Sequence, residues 1–534
     1  MKRKIYLYFR LLLPALIGVV LVASSRFLAF AQQDGWSEPE LLSLKGVTSW
    51  FPDLTVDSEG YVHVVWGSGA PPNYDLVLYT NNRTPDKTFR QPLEIAALVS
   101  EGEATRPSIY AALDGQLHAT FRDITVYYSS AAILDAYNAR SWKEKFSLSE
   151  GYFSDLAVDS KGIVHILYTR NVVSGFCPIC YHIYYVSSVD GGNTWSAEKD
   201  ISLGPMGSAK PQLVIDKKDN LHVVWEAGIG GSYGQLSDAD PTQVMYTASY
   251  DHGDTWEKPI QLNPTDMVAK FITIGVDMRD RLVVVWNNTN DDTVYFQLSS
   301  IDRPSWSVPL RIPKVNGIWS RHTGRLDDYT MTSDSAGNVH LIMVGWIDEQ
   351  DIKANRLTET PSDTPKPTAT PTKVSEPKVS LSLLHLTWNG VSWSEPEVIA
   401  DYQGDVPEWP RAIVGLGNEL HVVWFVRAER DLWRGGGDYT IWYAHKLLKA
   451  PAISPAAIPT TIPTPIVTPT LVQSLSNLTK AAPLATYDFS GVEDVSSENF
   501  VYKEMDYLEM ALVSTVPVIF FVLLFLIVIP RIKK

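Results

Sequence analysis

Residues 52–66 read PDLTVDSEGYVHVVW, which is an apolar stretch, a polar turn containing glycine, and a second apolar stretch. β-Branched and aromatic residues on both sides of a turn predict two antiparallel strands. The pattern recurs without gaps in six further windows, at 107–121, 154–168, 211–225, 272–286, 329–343 and 410–424. Such a regular internal repeat is typical of architectures built from stacked copies of one unit.

Two further strands are predicted after each window. The third strand often carries paired aromatics, such as Tyr184-Tyr185, and a turn then leads to a fourth strand opened by an aromatic, such as Trp195. Four short strands per repeat make up one blade of a propeller. We therefore predict an all-β fold over residues 32–449, a seven-bladed β-propeller with four-stranded blades. Residues 357–378 are a Thr/Pro-rich stretch, interpreted as an insertion in blade six.

The last blade lacks a fourth strand at its C-terminal end. Residues 35–39 read GWSEP and closely match SWSEP at 392–396, which belongs to the fourth strand of blade six. We expect the N-terminal strand to complete the last blade, because this closure removes the open sheet edge of the ring.

Two turns between third and fourth strands fit the pattern S-x-D-x-G-x-T-W. They read SVDGGNTW at 188–195 and SYDHGDTW at 249–256. On these residues the chain resembles the Asp-box (BNR) repeats of the sialidase superfamily, over roughly residues 34–449. The expected task of the turn is local, since Asp and Ser/Thr side chains cap backbone N–H groups and glycine permits a positive φ. No metal or other cofactor is predicted.

Six of the eleven histidines share one column of the repeat, where Val283 replaces them in the fifth window. A column that accepts valine is interpreted as packing. Cys177 and Cys180 lie in the loop between the second and third strands of blade three, where a local disulfide is the favoured state outside the cell. The six histidines are His63, His118, His165, His222, His340 and His421.

The two ends of the chain predict export and membrane anchoring. Residues 1–31 have the basic start, apolar run and A-x-A site of a signal peptide, with an uncleaved anchor as the alternative. Residues 450–505 read as a Pro/Thr-rich and then acidic stalk, residues 506–530 as a transmembrane helix, and residues 531–534 as a cytoplasmic basic tail. The prediction is a single-pass type I protein of the cell membrane with an extracellular propeller.

Net charge excludes one class of partner. The chain carries a formal charge of −15, whereas nucleic-acid binding needs basic patches. We expect the ligand to be a glycan or a protein outside the cell, bound by the loops that join blades and that join second to third strands. Arginines and an aromatic at these positions are the candidate ligand-binding residues, because guanidinium groups pair carboxylates bidentately. They are Arg106, Arg122, Arg170, Trp409, Arg411 and Arg427.

The sialidase resemblance implies a glycosidase site, with an arginine clamp on the substrate carboxylate. Arg106, Arg122 and Arg411 are the candidates for that clamp, and Asp123 or Glu226 for the proton shuttle. The repeat count of seven departs from the six blades of sialidases, and the lone Arg311-Ile312-Pro313 falls on a predicted outermost strand. The leading hypothesis is a non-catalytic binding module. The alternatives are a glycoside hydrolase acting on surface carbohydrate and a structural ectodomain of an envelope complex.

Overall fold

The structure, a computed structural model, describes residues 35–70, 74–99, 105–174, 177–204, 207–228, 242–302, 304–318, 327–348, 381–428 and 437–459. All of them lie in one compact unit, Met1–Pro463. The predicted signal peptide, blade-six insertion, transmembrane helix and basic tail lie outside the described residues, as does the predicted stalk beyond residue 459. Within the described ranges, no helix has the length and apolar character needed to span a bilayer.

The described residues form an all-β, propeller-like fold in which consecutive groups of four strands pair antiparallel. Five sheets have four strands each, and one sheet of eight strands joins β18–β21 to β22–β25 through the pairing of β21 with β23. The strands are β1 Glu40–Leu41, β2 Ser49–Val56, β3 Val62–Ala70, β4 Tyr74–Asn81, β5 Leu93–Val99, β6 Ser108–Ala111, β7 Gln116–Arg122, β8 Thr125–Ala132, β9 Phe146–Glu150, β10 Ser154–Val158, β11 Val164–Ser174, β12 Cys177–Ser188, β13 Lys199–Asp200, β14 Gly207–Ile215, β15 Leu221–Gly228, β16 Thr242–Ser249, β17 Ile260–Gln261, β18 Ala269–Val276, β19 Arg281–Asn288, β20 Thr293–Ser300, β21 Leu310–Asn316, β22 Thr330–Ser333, β23 Val339–Ile347, β24 Leu381–Trp388, β25 Glu397–Tyr402, β26 Asp405–Gly415, β27 Glu419–Ala428 and β28 Thr440–Leu447.

The fifteen-residue windows become the first two strands of each group. In the first group, β2 pairs with β3 across a turn that Asp57 caps, because its Oδ1 accepts the N–H groups of Glu59 and Tyr61 at 2.9 and 3.0 Å. Gly60 supplies the positive φ of 83° that the turn requires. The repeated Asp and Gly of the windows are therefore turn residues.

Aromatic side chains join neighbouring four-strand groups. Each lies four residues before the start of a fourth strand, which corrects the prediction that it opens the strand. It packs against the third strand of the preceding group, as Trp195 does on Tyr128 at 4.9 Å between ring centroids. Such pairs contribute about 0.5–1.5 kcal/mol each beyond area burial. The described pairs are Phe89–Tyr443, Trp142–Tyr79, Trp195–Tyr128, Trp256–Tyr185, Trp306–Tyr246, Trp393–Phe296 and Trp36–His385.

The histidine column is packed in the core. In five windows the imidazole Nδ1 forms a hydrogen bond with a tyrosine hydroxyl of the third strand, at 2.6–2.8 Å. In the sixth window, His340 Nδ1 forms a hydrogen bond with Nε2 of His385 instead, at 3.0 Å. Where Val283 replaces the histidine, the third strand carries Phe296, which has no hydroxyl to satisfy. The paired replacement indicates a structural role for the column.

Both Asp-box turns cap their own backbone. Asp190 Oδ1 accepts the N–H of Thr194 at 2.8 Å, and its Oδ2 accepts the Thr194 hydroxyl at 2.7 Å. These hydrogen bonds lower the pKa of Asp190 to about 2. Asp251 makes the same bonds to Thr255. The carboxylates therefore stabilise the turn.

The N-terminal strand closes the last group. β1 pairs with β28, and a bridge joins Trp36 to Lys446 further along the same edge. Residues 450–459, the predicted start of the stalk, lie against the turns of four groups. Ile453 N donates to Leu416 O at 2.7 Å, Ala456 N donates to Ser58 O at 2.8 Å, and Ile458 is buried. This segment therefore crosses the junction between the last and the first group of strands, where β1 completes the last sheet.

Candidate functional site at the central channel

The innermost strands carry an irregularity at the end where the blade-to-blade loops lie, here called the loop face. Register shifts occur between Trp50 and Asp53, and at the matching places in β14, β18 and β26. Left-handed φ angles of 37–57° fall on the residue before the window in five groups. A β-bulge re-aims the side chain, and non-glycine residues adopt such angles only at a cost. The five residues are Phe51, Arg106, Lys210, Phe271 and Trp409.

Cations and aromatic rings alternate across this end of the channel. The Arg122 and Arg106 guanidinium carbons lie 4.2 and 4.3 Å from the centroid of the Tyr152 ring. Arg106 also lies 4.3 Å from the Phe51 ring, which packs edge-on against Trp409 at 5.0 Å. These stacked side chains, with Arg411 over Trp409 at 4.3 Å, are called the mouth cluster. Such contacts contribute about 0.5–2 kcal/mol each, more when desolvated.

A buried ionic network lies beside the mouth cluster. Glu226 Oε1 accepts the N–H of Phe271 at 2.9 Å, and the ammonium groups of Lys210 and Lys270 each lie 3.8 Å from one of its oxygens. Lys210 also donates to the Asp327 carbonyl. Glu226 is thus held between two cations and a backbone amide.

A second buried pair joins Arg427 to Glu408 through two hydrogen bonds, one of them 2.7 Å long. Burial raises the pKa of Glu408, and Arg427 opposes the rise. The neighbouring Asp327 has its pKa raised well above the ordinary value by burial and then by Glu408. The fully paired Arg427 acts here as a counter-ion for buried carboxylates.

Below the mouth cluster lies a cavity of about 200 Å³, lined by the first strand or the window of each group. Arg106, Phe153 and Trp409 are among its lining residues. Arg411 reaches into it and donates to Asp328 Oδ2 at 3.2 Å. Gln212 donates to the same Asp328 oxygen at 3.2 Å. The cavity therefore presents donors from Arg411 and Gln212 together with acceptors.

Two carboxylates of this cavity bridge neighbouring groups. Asp53 Oδ2 accepts the N–H of Ile109 at 2.8 Å, and Asp155 Oδ2 accepts the N–H of Leu213 at 2.8 Å. Burial raises the pKa of both, and the Asp53 charge contributes to the rise at Asp155, whose pKa is about 7. The carboxyl group of Asp155 therefore titrates near neutral pH, well above the usual range of an aspartate.

The residues predicted as a site are only partly brought together. Arg106, Trp409 and Arg411 line one cavity, whereas Arg122 is connected to it through Tyr152. Arg170 lies apart, paired with Glu198 at the protein surface. Asp123 caps its own turn, accepting the Thr125 N–H at 2.8 Å.

Sequence reasoning missed several residues at this end of the channel. Asp53 and Asp155 belong to the windows, at a position that holds Asp, Ser, Gln, Thr and Arg in different repeats. The variability at this position was the sequence signal that could have identified Asp53 and Asp155 as channel residues. Nothing in the sequence pointed to Tyr152, Lys270, Asp327 or Glu408. Of these, Lys270 and Glu408 lie at the register shifts of β18 and β26.

The fold and the Asp-box turns define the class, a propeller-like all-β protein with BNR-type turns. Residues 51–228 match the model of a BNR repeat-containing family member. The match covers about a third of the chain and confirms the resemblance to BNR repeats predicted from the turns. A search of curated proteins found no match.

Several solved structures are similar in fold at low identity. A protein of unknown function from Dyadobacter fermentans is 11% identical, with 77% of this chain and 98% of that chain covered and a TM-score of 0.46. A mutant of the NanB sialidase from Streptococcus pneumoniae is 11% identical, with coverages of 77% and 71% and a TM-score of 0.42. An α-L-arabinanase from Penicillium chrysogenum complexed with arabinobiose is 10% identical, with coverages of 78% and 99% and a TM-score of 0.40.

Proposed function

We propose that this protein is a cell-surface BNR propeller that binds a carbohydrate ligand at the loop-face end of its channel without chemically changing it. The observation that carries the proposal is the mouth cluster above a cavity of about 200 Å³. Ligand sites combine aromatic surface with a few convergent polar groups. Counting about 30 Å³ per water, the cavity has room for roughly six waters or one small polar unit such as a sugar ring.

Binding without turnover is supported by how the site's charged groups are used. Glu226 is held by two lysines and an amide, Asp328 by Arg411 and Gln212, and Asp123 by its own turn. Glycoside hydrolysis generally requires two carboxylates or equivalents aimed at one bond. These groups are instead committed to the scaffold.

A glycan array probed with the purified full-length protein tests this proposal. We expect retained glycans, and we expect Arg411→Lys to weaken their binding at least about tenfold, because lysine keeps the charge but loses the planar fork. Arg170→Ala is the matched control and should bind like the parent, since Arg170 pairs with Glu198 outside the cavity. Failure to retain any glycan, or equal loss in both variants, would refute the proposal.

A glycoside hydrolase is the second candidate, and one observation favours it. Asp155, with a pKa of about 7, shares the cavity with Asp53 and Arg411. A carboxyl group protonated near neutral pH is suited to general acid catalysis. Turnover of fluorogenic sialosides or arabinosides that Asp155→Asn abolishes would establish hydrolysis in place of simple binding.

The proposal includes seven blades, with the eight-stranded sheet counted as two. The recurring aromatic pairs support this count, because the Trp36–His385 pair joins the last group to the one before it. It also includes display outside the cell on a C-terminal helix, supported by the apolar run 510–529 followed by basic residues. Alkaline carbonate extraction of membranes, followed by protease treatment of intact cells, tests the anchor. Release by carbonate, or protection of the propeller from protease, would contradict it.

A further inference from the structure

Residues 450–459, here called the strap, run across the turns of four groups, at the end of the strands opposite the loop face. The strap begins at the sixth and seventh groups. The carbonyl of Pro451 accepts the hydroxyl of Ser335, and Ile453 N donates to Leu416 O at 2.7 Å. Ser335 and Leu416 both belong to the turns of their windows. The strap is therefore held by the two groups that come last in the chain.

The strap then crosses to the two groups that come first. Ala456 and Ser58 of the first window exchange two hydrogen bonds, from Ala456 N to Ser58 O at 2.8 Å and from the Ser58 hydroxyl to Ala456 O at 2.9 Å. Ile458 is 7% exposed and belongs to the same hydrophobic cluster as Ile109 and Leu117 of the second window. The strap therefore bridges the junction between the last and the first group.

The junction that the strap bridges is closed elsewhere by short strand pairing. β1 pairs with β28 over two residues, whereas β27 and β28 of the same sheet pair over eight. Beyond β1, Leu42 N donates to Ile441 O at 2.9 Å and Ser49 N donates to Tyr439 O at 3.0 Å. Local opening is easier where fewer backbone hydrogen bonds must break. An additional tie at this junction therefore changes how readily the ring opens.

The sequence of the strap suits binding across several turns. Pro451, Pro455 and Pro459 restrict φ and favour an extended chain, which lowers the conformational entropy lost when the strap binds. The two amides that bind the turns, those of Ile453 and Ala456, lie between the prolines. Ten extended residues reach roughly 30 Å, so this short segment can contact four groups.

Two turn glycines lie directly beneath the strap. A Cβ atom at Gly417 would lie 2.8 Å from Cγ1 of Ile453, and one at Gly115 would lie 2.8 Å from the carbonyl oxygen of Pro459. Gly162, at the place in the third window that matches Gly115, has a similar φ, 81° against 86°, but no atom within 4 Å of its Cβ position. The close approach of the strap therefore requires glycine at 115 for a reason that the turn alone does not supply.

We propose that the strap is a clasp for the ring, and that its release lets the junction between the last and the first group open at the loop face as well as at the turns. The mouth cluster spans the same junction, because Phe51 of the first group packs edge-on against Trp409 of the last at 5.0 Å. Separation of the two groups breaks this contact and removes the ring on which Arg106 stacks at 4.3 Å. The junction is thus the element through which the strap acts on the channel.

Hydrogen exchange of the full-length protein, followed by mass spectrometry, tests the clasp without any ligand. Ile458→Asp places a charge in an apolar cluster, so the strap should detach. We expect exchange at Leu42 and at Ser49, two residues before Phe51, to accelerate at least about tenfold, because burial of an isoleucine side chain stabilises by at least that factor. The amide of Leu213, which bonds to the third group, should keep its rate. Unchanged exchange at the junction, or equal acceleration at Leu213, overturns the proposal.

A second pair of variants leaves the sequence of the strap unchanged. Gly115→Ala and Gly162→Ala carry a similar cost for a side chain at positive φ, but only the first adds a methyl group 2.8 Å from Pro459 O. We expect Gly115→Ala to lower Tm further than Gly162→Ala does, and to accelerate exchange at Ser49. Equal losses of Tm in the two variants, or an exchange rate at Ser49 that stays at the parent value, would overturn the clasp.

Discussion

Two positions of the repeat can be compared across the groups: the histidine inside the window and the residue immediately before the window. They differ in whether the side chain or the backbone conformation recurs. At the histidine position the side chain and its hydrogen bond to the third strand recur. At the position before the window a left-handed φ recurs in five of the seven groups, but the side chain changes. The side chains there are Phe51, Arg106, Phe153, Lys210, Phe271, Asp328 and Trp409.

The difference follows from where the two positions lie. Each histidine packs within its own group of strands, so its surroundings are nearly the same in each group and the same side chain fits. The preceding residues converge on one channel, where copies of a single charged or bulky side chain would repel or collide. Cations stacked on aromatic rings fill that space instead, as Arg106 does on Phe51 and Tyr152. A residue that recurs from group to group thus indicates a packing role. Positions around the channel where the residue differs between groups are the candidates for a functional site.

The largest effect is expected at the channel end, from Arg427→Ala. The change leaves Glu408 buried without its counter-ion, and breaking a buried pair costs about 3–5 kcal/mol. Urea denaturation of parent and variant measures the difference. Arg170→Ala, which removes a partly exposed ion pair at the surface, should cost less than about 1 kcal/mol. Similar losses in both variants would contradict the description of this end as a desolvated network.

Within the histidine column, a double-mutant cycle tests the packing role. His421→Val alone leaves the buried Tyr443 hydroxyl unpaired and should cost about 1–3 kcal/mol. Adding Tyr443→Phe recreates the Val283 and Phe296 combination of the fifth window and should recover most of that loss. Strict additivity of the two changes, measured by denaturant unfolding, would show that the pair is not coupled.

The same pair predicts a pH dependence. Burial lowers the pKa of His421 to about 3, whereas the unfolded value is near 6.5. Below pH 6.5 the unfolded chain therefore binds a proton that the folded chain does not, and the folded state loses stability as pH falls. At pH 5 this amounts to about 2 kcal/mol. The His421→Val/Tyr443→Phe variant lacks this loss, so its stability relative to the parent should rise between pH 6.5 and 5. A constant difference across that range would be inconsistent with a neutral buried histidine.

The smallest effect is expected from exchanging repeated residues between blades. Trp256→Phe copies the Phe89 contact on Tyr443 and should cost less than about 1.5 kcal/mol. Arg106→Phe copies the residue that the first, third and fifth windows carry, yet it should cost more, because it removes three cation–aromatic contacts. Thermal unfolding of both variants ranks them. The reverse order would contradict the conclusion that recurring residues can be exchanged between groups, whereas the residues before the windows cannot.

The fold was more predictable than the site, for a physical reason that particular residues show. Strand pairs, turns and the closing match of Trp36 depend on local patterns that repeat, so agreement among copies reinforces each inference. Each fourth strand was predicted to begin at its aromatic residue, four residues earlier than it does, because propensity does not locate a strand boundary. The site depends on residues such as Tyr152, Glu408 and Asp327, which share no sequence pattern. They are brought to one end of the channel by contacts between different groups, such as the hydrogen bond from Trp409 N to Asp327.

The sequence by itself determined the repeat, the all-β class, the Asp-box turns and the identification of the histidines as packing, since each rests on residues close together in the chain. Tertiary structure alone decided which side chains share the channel cavity, and that Arg106 and Arg411 line it while Arg170 lies elsewhere. Asp53 and Arg411, which lie 358 positions apart in the chain, line the same cavity only because the groups of strands close around one axis.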